Sequence, residues 1–365
     1  MAYSEYMIRK LLAWAQRNER HLGGAVFLFG FLTDIVALLL LDVSFVLLAS
    51  GTYLALAALA VFLSQMLAGW REAKPVWKRS VTVLLPLLAQ YLIGNLLSWF
   101  LIFYAKSSVL EASWPFLLLL ALVFLGNEWF RKYKDRLAFI AVLLFFATYA
   151  YAIFALPLLL GTLGPLVFLG STVVAGAAFA LYLFLLARVG RVRLRASLGP
   201  IVGSALAIVL VVVTSYFTGL VPPLPLALKD VGIYHSLARA EGQYVLQGEP
   251  QQPWWDPRPQ TLHTTPGAPL YAFSAVQAPI RFGTVVVHRW QRYDEENGAW
   301  ITQSRIAFPI AGGRLEGYRG YSEIAHPIPG AWRLRVETEH GQVIGQERFE
   351  VVRASAPPAL ETFYR

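Results

Sequence analysis

Residues 131–195 read RKYKDRLAFIAVLLFFATYAYAIFALPLLLGTLGPLVFLGSTVVAGAAFALYLFLLARVGRVRLR and decide the fold class of this protein. Two apolar stretches lie in it, residues 137–156 and 165–187, each close to the roughly 20 residues that a membrane-spanning helix needs. Basic clusters flank the pair, whereas residues 157–164 between the two stretches carry no charge. This pattern predicts a membrane helix hairpin whose two basic ends lie in the cytoplasm.

The composition of the whole chain agrees with a membrane protein. Of its 365 residues, 57% are apolar and only 15% are charged, and the mean hydropathy is +0.53. Soluble domains carry about 25% charged residues, so a cytosolic enzyme and a disordered chain are both excluded. The absence of cysteine removes thiolate catalysis, cysteine zinc sites and disulfides. The net charge of +9 lies entirely in residues 1–218, which is a membrane pattern, so we expect no nucleic-acid partner.

Outward from the hairpin, further apolar stretches bring the number of predicted spans to seven. They are residues 22–41, 43–68, 81–105, 114–130, 137–156, 165–187 and 198–218. Of the 17 basic residues in this half, all except Lys106 fall in the N-terminal segment or in alternate connections. The sequence therefore predicts a seven-helix transmembrane domain over residues 22–218, with the N-terminus in the cytoplasm and residues 219–365 outside. The segment 1–21 is either an amphipathic helix on the cytoplasmic membrane surface or an ordinary basic tail.

Polar residues inside the predicted spans are candidates for function, because ionisable groups are costly at membrane depth. Asp34 is either part of a proton or ion relay or, as we favour, a carboxyl that bonds a polar group on a neighbouring helix. Gln90 and Asn95 lie on different faces of one span and can each link helices. A stripe of small residues allows close helix contact and a possible oligomer; its members are Gly199, Gly203 and Ala207.

The outer half has the alternation of β-strands. Strands are expected at residues 270–276, 284–293, 299–310, 331–338 and 343–352, with a weaker pair at 231–235 and 243–247. Hairpin turns are expected at residues 294–298 and 340–341, and a bulge near Gly345 would place Ile344 and Phe349 on one face. In the fourth strand the apolar positions face inward and alternate with charged positions, among them Glu337, that face solvent. Short strands at this spacing predict an all-β immunoglobulin-like sandwich over residues 270–353, followed by a tail at 354–365.

Residues 219–269 form a Pro/Trp-rich connector with possible early strands. Six prolines between residues 248 and 270 argue against regular structure there. Trp254 and Trp255 either pack on the domain or the membrane interface, which we favour, or stack on a sugar.

Several motifs in the β-rich half resemble a bacterial family, the domain of unknown function 2914. The matching positions are His288, Arg289 and Trp290; Arg319, Tyr321 and Ser322; and Gly330, Trp332, Val336, Gly341, Phe349 and Val351. The resemblance covers about residues 270–352, with Gly320 where the family has Thr and a longer loop at residues 294–298. It implies a β-domain in a bacterial membrane protein, here the cytoplasmic (inner) membrane, and a structural role for Arg319, Ser322 and Trp290. The family has no established activity, so function is left open.

No catalytic motif or metal-ligand spacing occurs, so we expect no enzyme activity, cofactor or metal. His288 and Trp290 can line a pocket, although a histidine packed beside Arg319 and Ser322 is favoured. The expected function is a non-catalytic membrane protein that presents its periplasmic or extracellular β-sandwich to an envelope protein partner or a glycan. The candidate binding surface comprises Trp254, Trp255, His288, Trp290 and Arg319. The alternative is a transporter or lipid-handling protein that acts through Asp34, with the β-domain as its lid.

Overall fold

The computed structural model of the chain describes most of the helical and β-rich regions. The described residues are 31–36, 43–68, 76–106, 110–129, 137–221, 225–240, 242–252, 256, 258–280, 282–314 and 316–365. The predicted N-terminal segment 1–21 and the pair Trp254 and Trp255 lie outside them, as does most of the first predicted span.

The N-terminal region is helical and apolar. Residues 31–36 are helical, and five longer helices follow: α1 (Val43–Met66), α2 (Val76–Lys106), α3 (Leu110–Trp129), α4 (Leu137–Leu160) and α5 (Pro165–Phe217). Among the described residues, α1, α2, α4 and α5 are long and apolar enough to cross a membrane, and α3 has a shorter apolar stretch, Ser113–Leu125. The described helices lie on the stretches that the hydropathy pattern predicts as apolar helix, and α5 also includes residues 188–197 between two of these stretches.

Helix α5 consists of two helices that fold back on each other. Gly190 alone has non-helical backbone angles, φ −140° and ψ 41°. The ring of Phe168 stacks on that of Tyr216, with centroids 3.8 Å apart, so the two halves are antiparallel. The expected connection between the spans 165–187 and 198–218 is therefore a single turn at Gly190, with helix on both sides of it. Arginine and leucine are good helix formers, so helix continues on both sides of the one glycine.

The helices pack around α4, which is the most buried of them. It contacts α5, α1 and α2, and aromatic rings from α2 and α4 meet in the core, for example Phe103 and Phe154 with centroids 5.5 Å apart. Near one end of α1, the carbonyl of Leu47 accepts a hydrogen bond from the Tyr151 hydroxyl. At the other end of α1, Gln65 lies beside Gly190. The arginine-bearing turn of α5 and the C-terminal end of α1 therefore lie at the same end of the bundle.

The C-terminal region is β-rich, and eleven strands form three sheets in its described part. The strands are β1 (Ala227–Tyr234), β2 (Ser236–Ala240), β3 (Gln243–Gly248), β4 (Gln260–Thr264), β5 (Leu270–Gln277), β6 (Gly283–Asp294), β7 (Ala299–Ala311), β8 (Tyr318–Ile324), β9 (Gly330–Thr338), β10 (Val343–Arg353) and β11 (Glu361–Tyr364). The sheet orders are β1-β5-β8, β4-β10-β9-β6-β7 and β11-β3-β2. All pairs are antiparallel except β4 with β10.

The strands extend beyond the predicted limits of the β-region. The five main predicted strands and the weaker pair are confirmed, whereas β2, β4, β8 and β11 are additional. The expectation that residues 248–270 lack regular structure is wrong for β4, because its five residues contain no proline and pair with β10. The tail also contributes, since β11 pairs with β3.

The three sheets form three layers with two cores. Between the five-stranded sheet and the sheet β1-β5-β8 lies the larger core, with Trp290, Trp332 and Phe349 fully buried. The small sheet β11-β3-β2 covers the other face of β1-β5-β8 around Tyr234 and Phe273. A register shift between Val343 and Gly345 in β10 confirms the predicted bulge.

The fourth predicted strand, β9, differs from expectation at one charged residue. Trp332, Leu334 and Val336 face the core as predicted, but Glu337 is only 1% exposed. Its carboxylate lies 2.7 Å from the Arg289 guanidinium, and an arginine partner is what permits a carboxylate to be buried. The prediction that Glu337 faces solvent is therefore wrong.

The turn between α4 and α5 joins the two regions. The carbonyl of Gly161 accepts a hydrogen bond of 3.1 Å from the Gly283 amide at the start of β6. Leu163 packs against the larger β-core, and Gly164 lies next to the His340 ring. The β-region thus contacts the end of the α5 hairpin opposite to Gly190, which lies about 38 Å away along the first half of the helix.

Candidate binding cavity

A buried polar cluster links the two main sheets at His288. This ring is fully buried on β6; its Nε2 lies 2.7 Å from Ser274 Oγ on β5, and its Nδ1 lies 2.8 Å from Ser322 Oγ on β8. The indole N–H of Trp290 donates to the same Ser322 hydroxyl, at 3.0 Å. Burial lowers the pKa of His288 to about 3, so the imidazole is neutral and donates at one nitrogen while accepting at the other. A ligand in solution has no access to His288 or Trp290.

The other members of the expected binding surface are not brought together with that cluster. Arg319 is half-buried on β8 and donates to the Arg365 carbonyl at 3.1 Å. Trp254 and Trp255 lie outside the described residues, but their sequence neighbours Gln252 and Asp256 line the cavity described below.

The polar candidates from the predicted spans lie on the helices. Asp34 accepts two hydrogen bonds from α2, from the Ser98 hydroxyl at 2.6 Å and from the Trp99 indole N–H at 3.1 Å. Gln90 and Asn95, also on α2, are half-buried. A Cβ added at Gly199 or Gly203 would meet no described atom within 4 Å. Ala207 lines an apolar groove of about 390 Å³ between α3, α4 and the second half of α5.

A polar cavity of about 470 Å³ opens at one edge of the β-sandwich. It lies where edge strand β1 of one sheet faces β10 of the other, and described residues from between β3 and β4 form a further wall. Its described lining residues are Asp230, Val231, Gly232, Ile233, Tyr234, Glu249, Gln251, Gln252, Asp256, Arg258, Gln260, Glu347, Arg348 and Arg365. Most of them are charged groups or amides, so the cavity suits a hydrophilic ligand that both donates and accepts hydrogen bonds.

Three carboxylates in the lining have partners within the protein. Asp230 lies 2.6 Å from Arg365 Nε. Asp256 lies 2.6 Å from Arg258, whose hydrogen bonds lower the pKa of Asp256 to about 2.

Glu249, the third, lies between two histidines. One carboxylate oxygen is 3.0 Å from His235 Nε2, and the other is 2.8 Å from His263 Nδ1. These contacts fix the segment after β3 and hold the wall of the cavity in place.

Two groups in the lining are left without a partner among the described residues. The hydroxyl of Tyr234 is buried and makes no hydrogen bond to them, although the residue is only 2% exposed. The carboxyl of Glu347 likewise has no hydrogen bond or ion pair within the described part of the chain. Burial, and next the nearby Asp230 carboxylate, raise the pKa of Glu347 to about 7. Glu347 is half-buried, so its unpaired carboxyl is a place in the lining where a ligand can bind, whereas the Tyr234 hydroxyl is buried out of a ligand's reach.

The sequence reasoning missed this cavity. Its residues come from β1, from the segment after β3, from β10 and from the tail, and none of them forms a motif. One signal was present: Glu347 stands on the same side of β10 as Phe349 and Val351, which the alternation places inward. An acidic residue at an inward position is rare enough to mark a candidate site.

The protein thus combines apolar helices of membrane-spanning length with a β-rich region that carries a polar cavity. Within that region, residues 283–351 match the family described as protein of unknown function (DUF2914), as the motifs indicate. No curated protein matches the chain. Among solved structures, the chain is similar to the Pseudomonas fluorescens alkylpurine DNA glycosylase AlkC bound to DNA containing an abasic site analog. The sequence identity is 10%, and the match covers 84% of this chain and 98% of that chain. The TM-score is 0.22, too low to establish a shared fold or function.

Proposed function

We propose that this protein is a non-catalytic, seven-span protein of the bacterial cytoplasmic membrane that presents its β-region outside the cell membrane to bind a glycan or an envelope protein. The observation that carries this proposal is the polar cavity at the sandwich edge, with the unpaired carboxyl of Glu347 in its lining. Its hydrogen-bonding groups suit the hydroxyls of a carbohydrate, so we favour the glycan.

The arrangement of the helices supports the proposed orientation. The arginines around Gly190 lie at one end of the α5 hairpin, and the β-region contacts the other end through the turn at Gly161. Basic residues favour the cytoplasmic side, and this supports a β-region on the opposite side.

The order of strands supports an immunoglobulin-like sandwich. In that fold, the sheet with strands G, F and C packs on the sheet with A, B and E. Here β10, β9, β6 and β7 occupy the places of G, F, C and C′, while β1, β5 and β8 occupy those of A, B and E. The buried Trp290 then lies on strand C, where immunoglobulin domains have their core tryptophan. Such domains serve as recognition surfaces in many proteins, which fits a binding role.

Orientation is tested by labelling with a membrane-impermeant maleimide in intact cells. The chain contains no cysteine, so Glu295→Cys in the β6–β7 hairpin and Arg193→Cys beside Gly190 each provide one reactive site. We expect Glu295→Cys to react in cells whose outer envelope has been opened and whose cytoplasmic membrane is intact. Arg193→Cys should react only after the cells are lysed. The reverse pattern would overturn the proposed topology.

Binding is tested with the full chain in nanodiscs on an array of defined oligosaccharides. We expect retention on a subset of glycans, reduced at least tenfold by Gln260→Ala in the cavity. The same substitution at an exposed position of β7 outside the cavity, Gln303→Ala, is the matched control and should leave retention unchanged. Absence of retention, or equal retention by both variants, would overturn the glycan proposal.

A further inference from the structure

We infer that the cavity between β1 and β10 recognises a primary ammonium group on a hydroxylated ligand such as an amino sugar, held by Glu347 beside Asp230. This inference rests on the proposed ligand-binding function and names the chemistry of the ligand. It follows from which charges in the cavity are already paired and which are not.

The unpaired carboxyl of Glu347 is the observation from which the ammonium inference starts. It stands on the core-facing side of β10, at the rim of the cavity, and no described residue forms an ion pair with it. A carboxyl in this setting is costly when ionised, and a cationic ligand group would offset that cost.

The basic residues around the cavity are engaged elsewhere. Arg365 contacts Asp230, and Arg258 contacts Asp256, each at 2.6 Å. The Arg348 guanidinium lies 6.0 Å from the Trp300 ring centroid, and β7 is separated from β10 by two strands of the same sheet. An anionic ligand would therefore find no free guanidinium among these three, whereas a cation would find Glu347.

The Tyr234 hydroxyl does not offer a second contact to the ligand. The residue is among those that line the cavity, but it is only 2% exposed and its hydroxyl is buried in the core under the small sheet. Burial raises the pKa of Tyr234, and the Asp230 carboxylate adds to this, so the hydroxyl is neutral and Glu347 is left as the unpaired acidic group of the lining.

The remaining lining suits the body of such a ligand. Amide groups of Gln251, Gln252 and Gln260 can each donate to and accept from sugar hydroxyls. A volume of about 470 Å³ accommodates a monosaccharide or disaccharide unit.

The test is binding of three probes to the full chain in nanodiscs, followed by titration calorimetry. Glucosamine carries an ammonium group, N-acetylglucosamine has the same ring without it, and ethanolamine has the ammonium without the ring. We expect glucosamine to bind at least tenfold more tightly than N-acetylglucosamine at pH 7. Binding of ethanolamine as tight as that of glucosamine would assign the site to an amine headgroup and overturn the amino-sugar assignment.

One variant assigns the effect to the cavity. Glu347→Gln keeps the shape and removes the charge, and we expect at least a tenfold loss of glucosamine affinity. Glu350→Gln, an exposed position on the same strand, is the matched control and should bind as the wild type does.

The pH dependence gives a signature that a structural role would not. The groups facing Glu347 are Asp230 and Tyr234 of β1, Arg365 of the tail, and Glu249, Asp256 and Arg258 of the wall; Arg348 adjoins it on β10. Because an ammonium group binds the ionised carboxylate, affinity should rise about 16-fold between pH 5.5 and 7.0, given a Glu347 pKa of about 7. In Glu347→Gln this rise should disappear.

The outcomes separate the inference from the function on which it rests. Equal binding of glucosamine and N-acetylglucosamine, or full affinity in Glu347→Gln, would overturn the ammonium inference while the glycan function stands. Loss of every oligosaccharide on the array as well would overturn both.

Discussion

Acidification should weaken the β-sandwich through His288, and the size of the effect follows from its burial. The folded pKa of about 3 lies below the ordinary value of 6.5, so protonation favours the unfolded state. The stability that the neutral ring provides is therefore present above pH 6.5 and is lost as the pH falls toward 3. Between pH 7 and pH 5 the expected loss is about 2 kcal/mol, or about a 25-fold change in the opening equilibrium.

The variant His288→Gln isolates this contribution, because its amide keeps hydrogen bonding without a proton to gain. Hydrogen exchange of the β6 amides, measured by mass spectrometry on the full chain in nanodiscs, reports the opening free energy of each protein. At pH 7 the wild type should be the more stable, and the difference from the variant should shrink by about 2 kcal/mol at pH 5.

Comparing the two proteins at one pH cancels every other titration. This matters because the pKa of Glu347, raised to about 7 from 4.5, acts in the opposite direction: its protonation between pH 7 and pH 5 stabilises the folded state. His326→Gln, at an exposed position, is the control for the substitution itself and should leave exchange of the β6 amides at pH 7 as in the wild type. A difference between wild type and His288→Gln that stays constant from pH 7 to pH 5 would refute the argument that His288 is held neutral by burial.

Three further predictions concern single contacts. Gly320→Thr should lower the free energy of unfolding of the β-region by about 2 kcal/mol, because a Cβ at this position overlaps the Phe308 ring. In thermal unfolding, the second substitution Phe308→Leu should restore part of this loss, and the absence of any recovery would contradict the proposed cause. Glu337→Ala should cost about 3 kcal/mol in the same assay by leaving the Arg289 guanidinium unpaired, while the exposed control Glu339→Ala should cost little. Asp34→Ala should lower the melting temperature in detergent, because Ser98 and Trp99 lose their hydrogen-bond acceptor. Asp34→Asn keeps a carbonyl oxygen and should lower the melting temperature less. If the two variants melt at the same temperature, the hydrogen bonds do not account for the effect.

The helices and most strands could be predicted because their signals are local. A run of apolar residues or a two-residue alternation requires only neighbouring positions, and the mismatch between Ile344 and Phe349 even indicated the bulge in β10. The connection between residues 187 and 198 was indicated by its basic residues, but its single non-helical residue, Gly190, was not, because basic residues mark the side of the membrane whereas helix propensity decides where the helix breaks.

The cavity could not be predicted because it depends on contacts between distant parts of the chain. Asp230 and Arg365 are 135 positions apart, and Glu249 lies 14 positions from each of its histidines. No periodicity relates such positions. They come together because β1 pairs with β5 and because the tail strand β11 pairs with β3. Glu337 illustrates the same point, because its burial depends on arginines from neighbouring strands that attract its carboxylate.

The docking of residues 361–365 has a consequence for the order of events during synthesis. These residues pair with β3 and supply Arg365 to Asp230, yet they emerge from the ribosome more than 100 residues after β1 and β3. Until then β3 has an open edge, and the sandwich must persist with one unpaired strand available to other chains. Interruption of synthesis before residue 361 would therefore leave a chain whose helices are inserted but whose β-region is prone to aggregation and proteolysis.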